Sequence, residues 1–148
     1  MPPALVHGDL YLGNVFLKKK RRRTGVDDVT AVFDWQLCHF GSPTEDLAMV
    51  ICSCLDAETR RQNTGALLNR FYRKLSQLLD PDPVPYTLEQ LQQAFKQSFL
   101  FITQHYAGGA TMMILDDRST KEERDQQMEK VRAVLEDAIA IHEDRLNF

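Results

Sequence analysis

Three polar residues held at fixed distances among apolar neighbours constrain this chain more than anything else in it. Asp9 sits in Val6-His7-Gly8-Asp9-Leu10-Tyr11-Leu12-Gly13-Asn14, so Asn14 follows it by five positions. Asp34 comes twenty positions after Asn14, closing an apolar run in Phe33-Asp34-Trp35-Gln36. Taken singly, each reads as a turn residue or a strand end. Taken together, with His7-Gly8 before and Trp35-Gln36 after, they argue for one shared site.

The rest of the chain divides around them. Val15-Phe16-Leu17 and Val29-Thr30-Ala31-Val32-Phe33 are β-prone runs on either side of a basic turn containing Gly and Asp, which predicts a hairpin. From Ser42 the pattern becomes helical. Ser42-Pro43-Thr44-Glu45 combines a capping box with proline at the first helical position, and Leu47, Val50/Ile51 and Cys54/Leu55 supply an apolar stripe. A second helix is expected over about 65–79, with Leu67/Leu68, Phe71/Tyr72, Leu75 and Leu78/Leu79 on one face and a proline-rich stop at 80–85. Thr87 with Gln90 caps a third helix, which Gly108-Gly109 should end. A fourth begins near Ser119/Thr120 and carries Met128, Val131, Leu135, Ala138 and Ile139/His142. The expected fold class is therefore α+β, mostly α. Residues 5–41 read as a segment of short strands and loops and residues 42–148 as a helical body, within a single domain spanning 1–148.

Composition narrows the function classes. A hydrophobic fraction of 43% over 148 residues supports a real core. Lys18-Lys19-Lys20-Arg21-Arg22-Arg23 concentrates positive charge, while the chain as a whole carries −3, leaving an acidic body that does not fit a nucleic-acid binder. The basic run reads as a solvated hairpin loop, or alternatively as a nuclear-localisation patch. The apolar stretch from Leu47 to Leu55 is far shorter than the ~20 residues of a membrane span. Met1-Pro2-Pro3-Ala4 has neither the basic start nor the apolar region of a signal peptide. Cys38, Cys52 and Cys54 cannot build a disulfide framework, so a reduced, cytoplasmic protein is expected.

The polar triad has a consistent chemistry. Phosphoryl transfer to an alcohol needs a carboxylate that orients the hydroxyl and accepts its proton, a role Asp9 suits. Asn14 offers a neutral oxygen and Asp34 an anionic one, a reasonable pair for magnesium, a hard cation that takes few protein ligands. At the end of its strand, Asp34 would aim its carboxylate into a cleft.

His7-Gly8-Asp9 with Asn14, Phe33-Asp34-Trp35-Gln36, Gly41-Ser42-Pro43 and Asp46-Leu47-Ala48 resembles the aminoglycoside phosphotransferase and choline kinase superfamily. Within it, Phe71-Tyr72 and Tyr86-Thr87-Leu88-Glu89-Gln90-Leu91 are similar to the CHK kinase-like, or ecdysteroid kinase-like, branch, over about residues 5–110. The resemblance implies the C-terminal lobe of a protein kinase-like fold. It implies Asp9 as catalytic aspartate, Asn14 and Asp34 as the residues holding Mg2+ and through it ATP, and His7 as a structural support. Asp46 is similar to an aspartate that braces the catalytic loop, although a carboxylate early in a helix is also favoured by the helix dipole alone. The acceptor would be a small molecule bearing a hydroxyl, lying against helices from about residue 43 to 106.

A complete kinase of this kind also needs a Gly-rich loop, a strand lysine and a helix glutamate. None is identifiable in this sequence, so the ATP-binding N-terminal lobe is expected to be absent and activity of the chain alone to be weak. A placed base contributes about 10²–10⁴-fold, and enzymes typically need 10⁶-fold or more. A complementing lobe or self-association would cover the exposed face. The alternative is a non-catalytic helical interaction module derived from such a kinase.

Overall fold

The computed structural model describes residues 1–18 and 28–146. The basic run of the sequence lies outside the described residues except for Lys18. Four short strands precede four helices: β1 Ala4–Val6, β2 Val15–Lys18, β3 Asp28–Val32 and β4 His39–Gly41, then α1 Glu45–Cys54, α2 Ala57–Leu79, α3 Leu88–Leu115 and α4 Lys121–His142. The fold is α+β and mostly α.

The strands form two antiparallel ribbons. β2 and β3 pair as the hairpin the sequence predicts, with Val15 opposite Val32 and a bulge between Phe16 and Leu17. β1 and β4, too short to stand out in the sequence, pair around that hairpin with Leu5 opposite Phe40. The topology is nested, and this matters for the site. The loop from β1 to β2 carries residues 7–14 and the return from β3 to β4 carries residues 33–38, so both cross between the ribbons together.

α3 is the central helix and packs on α1, α2 and α4. Phe95 and Phe99, both fully buried on it, meet with ring centroids 6.0 Å apart. Leu68, Ile102, Val134 and Ile141 close around them together with Ala48, Met49, Ile51 and Cys52 of α1. Burying each phenylalanine is worth roughly 1.5–3 kcal/mol, so this pair anchors the helical body. Burial also pushes the Cys52 thiol up to about 12, which keeps it an uncharged core residue.

Four local expectations are corrected. α2 starts at Ala57 rather than near 65, capped by Asp56, whose carboxylate accepts from the Thr59 amide. The extra turns carry Arg60, not an apolar residue, at the buried position. Its guanidinium pairs with Asp137 of α4 at 2.6 Å. Secondly, α3 runs through Gly108-Gly109 to Leu115 instead of stopping there. Thirdly, α4 buries Ala133, Val134, Asp137, Ala138 and Ile141, turning Met128, Leu135 and Ile139 outward. Lastly, regular α1 begins at Glu45, but the expected capping groups are engaged one turn earlier. Oε1 of Glu45 accepts from the Ser42 amide at 2.5 Å, and the Ser42 hydroxyl accepts from the Thr44 amide at 3.4 Å. The capping boxes at Thr87–Gln90 and Thr120–Glu123 are both formed.

Candidate functional site

Phe33 joins the two crossing loops. Its amide donates to the Asn14 carbonyl at 3.1 Å, and its own carbonyl lies 2.9 Å from Nε2 of His7. Since a carbonyl only accepts, that imidazole nitrogen is the protonated one. Nδ1 is then free to accept from the Asp9 amide, which it does at 3.2 Å. His7, only 2% exposed, therefore spans from the loop containing Asp9 to the residue before Asp34. Its ring also packs on Trp35, with centroids 4.6 Å apart and planes tilted at 57°.

Asp46, from the first turn of α1, holds the same loop from the other side. Oδ2 accepts from the His7 amide at 2.8 Å and Oδ1 from the Gly8 amide at 3.1 Å. Gly8 lies between these anchors at φ +85°, and an added Cβ would stand 2.4 Å from the Leu37 carbonyl oxygen. The tight approach of the loops thus requires glycine there.

Asn14 is buried, and its amide nitrogen donates to Asp9 twice, to the backbone oxygen at 2.9 Å and to Oδ2 at 3.2 Å. With Nδ2 committed, the amide oxygen is the side of Asn14 left for another partner. Asp34 is exposed and adopts the left-handed conformation at φ 66°, ψ 58°. Aspartate tolerates this region better than most residues, at a small conformational cost. Among the described residues its carboxylate has no hydrogen-bond or ion-pair partner. Asp9 and Asn14 thus touch directly. Asp34 is linked to them through Phe33 and His7 rather than by side-chain contact.

A neutral amide oxygen and an unpaired carboxylate are the donor types that a hard cation such as Mg2+ takes. The acidic oxygens of Asp9 divide in the same way. Oδ2 is turned to Asn14, Oδ1 lies on the side of His105, and Asp9 and His105 both line a cavity of about 300 Å³ walled by Met49, Ser53, Tyr106 and Met113. His105 of α3 enters this cavity with Nε2 3.9 Å from Oδ1 of Asp9. Tyr106 is half-buried and accepts from Gln127 at 3.3 Å, and burial holds its phenol above the usual range. A larger open cleft, about 800 Å³, lies between Pro3, Gly41–Pro43 and the first turns of α3, and shares no lining residue with the triad.

His105 escaped the sequence reading. His105, Gly109 and Met113 recur at i, i+4 and i+8, one face of a helix that continues past Gly109. Reading Gly108-Gly109 as a stop hid that face.

Comparison with known proteins adds a family. Residues 1–146 match the DUF1679 family, described as "Uncharacterized oxidoreductase dhs-27". The chain is also 26% identical over 148 residues to "Uncharacterized kinase-like protein D1044.1" of Caenorhabditis elegans, an alignment covering 97% of this chain. It spans 38% of that relative's length. No solved structure matches. A similarity that runs over nearly the whole chain, across both the strand ribbons and the helical body, shows that the chain belongs to the DUF1679 family.

Proposed function

We propose that this segment carries the acceptor-activating and metal-holding half of an ATP-dependent phosphotransferase acting on a hydroxyl of a small molecule. The observation that carries the reading is the division of Asp9. One oxygen is fixed by Asn14, and the other lies on the side of His105, with which Asp9 lines a cavity able to hold an acceptor. Asp9 would orient the acceptor hydroxyl and take its proton as the new O–P bond forms and the bond to ADP breaks. Asn14 and Asp34 would hold Mg2+, which supplies charge neutralisation on the ATP phosphates. The kinase-like name of the relative supports this, as does the resemblance to the CHK or ecdysteroid kinase-like branch. The polar groups also favour phosphoryl transfer over the oxidoreductase chemistry in the family description. Carboxylates and an amide oxygen suit a hydroxyl and a hard cation.

The remaining parts of such an enzyme would pack on the strand ribbons. The ribbons expose Leu5, Phe16 and Phe40, the last 79% exposed, and the turn between β3 and β4 exposes Trp35. Self-association through the same face is the other way to cover it. No helix among the described residues is long and apolar enough to cross a membrane. Cys38, Cys52 and Cys54 are free, in keeping with a reducing cytoplasm.

Calorimetric titration of the chain with ATP, with and without Mg2+, tests the reading. The expected result is weak, magnesium-dependent binding that Asp34→Ala abolishes. A folded chain without magnesium-dependent binding would overturn it in favour of a non-catalytic interaction module.

A further inference from the structure

The cavity beside Asp9 holds a polar group that the phosphotransfer reading leaves unused. His105 projects from α3 with Nε2 3.9 Å from Oδ1 of Asp9, beyond the roughly 2.7–3.2 Å of a direct hydrogen bond. An oxygen bonded to both groups over arms of about 2.8 Å would spread them to roughly 4.6 Å, so a small rotation of the half-exposed His105 ring admits one. Among the described residues His105 has no other hydrogen bond or ion pair; its side chain is 44% exposed, and it lines this space. The opposite oxygen of Asp9 is already occupied by Asn14, so Oδ1 is the one available to a ligand. Around this polar pair the walls are mainly apolar, from Met49, Tyr106 and Met113. At about 300 Å³ the space is at the small end of ligand pockets.

The geometry points to His105 as the residue that positions an acceptor hydroxyl: the O–H donates to Oδ1 of Asp9 while its oxygen accepts from Nε2–H of His105, and the carbon skeleton of a compact apolar alcohol fills the cavity. Its catalytic meaning rests on the phosphotransfer reading, but the alcohol site stands or falls separately. Two-point recognition selects alcohols over ketones of the same shape. A ketone can accept from His105 but leaves the Asp9 carboxylate without a donor.

The test uses cyclohexanol and cyclohexanone as probes, followed by chemical-shift titration of the ¹⁵N-labelled chain at Asp9, Tyr106 and the His105 ring. The alcohol is expected to bind about fivefold more tightly than the ketone, the worth of one hydrogen bond. His105→Leu, checked for an intact amide spectrum, is expected to lose about fivefold in affinity for both probes, since each accepts from His105, while the preference set by Asp9 remains. His105→Gln, whose side-chain amide restores a donor, should recover most of the lost affinity. Equal binding of the two probes by the unaltered chain, binding of neither, or affinities unchanged in His105→Leu would overturn the inference. An alcohol preference without magnesium-dependent ATP binding would leave this site standing and remove the phosphotransfer reading. ATP binding without an alcohol preference would do the reverse.

Discussion

Gly8 is the residue whose replacement most directly tests the loop geometry. Its φ of +85° and the 2.4 Å approach of the Leu37 oxygen leave no room for a side chain. Gly8→Ala is expected to destabilise the fold by about 1–3 kcal/mol in urea denaturation, combining strain with displacement of the loop. An added Cβ at Gly13 meets only the Tyr11 ring, a movable side chain, so Gly13→Ala should cost much less. His39 gives a pH signature at the same scale. Its pKa is raised, first by the Leu37 carbonyl at Nδ1 and then by Glu45 at Nε2, each 3.0 Å away. A raised folded value means the contribution is fully present below the unfolded pKa of about 6.5 and fades as pH rises through the folded value. Solvent screens this exposed pair, so the effect should be a few tenths of a kcal/mol at most. It is checked by comparing the pH dependence of stability in wild type and His39→Gln.

Among the elements, α2 and α4 are joined by an ionic clamp in the interior. Arg60 and Asp137 are each 1% exposed, and Arg61 reaches the second oxygen of Asp137 at 2.5 Å. Arg60 also donates to the Leu55 carbonyl, closing the turn between α1 and α2. Arg60→Met should cost about 3 kcal/mol in chemical denaturation, because it leaves Asp137 with one half-exposed partner. The double change Arg60→Met with Asp137→Leu should cost less than the single one. Helix α3 makes the opposite case. Gly108 lies mid-helix with open space around it, so Gly108→Ala should raise stability by about 1 kcal/mol in thermal or urea unfolding. Element-level legibility followed the range of the signal. The Thr87 cap, the start of α4 near Thr120 and the β2–β3 hairpin depend on neighbours in sequence, and each was readable. The first two turns of α2 were not, because their buried position is filled by an arginine whose partner lies 77 residues away. Gly108-Gly109 misled for a related reason, since burial of Phe95, Phe99, Ile102 and Ala110 sustains a helix that local propensity would end.

Over the whole molecule, the nested ribbons turn a spacing pattern into a place. Asp9, Asn14 and Asp34 were visible as a set in the sequence. The link between their two loops was not, because it runs through the backbone amide and carbonyl of Phe33, which no pattern of residue types records. His105 was hidden behind the misjudged end of α3, and the sequence offered only its helical spacing with Gly109 and Met113. The proposed phosphotransfer requires Asn14 and Asp34 to hold a cation next to Asp9. The most direct measurement is paramagnetic broadening of the amide spectrum by substoichiometric Mn2+, a stand-in for Mg2+. Broadening centred on Asn14 and Asp34, reversed by excess Mg2+ and lost in a folded Asp34→Ala variant, is the expected result. Broadening confined to other acidic surfaces, such as Glu122 and Glu123 at the start of α4, or unchanged by Asp34→Ala, would contradict it.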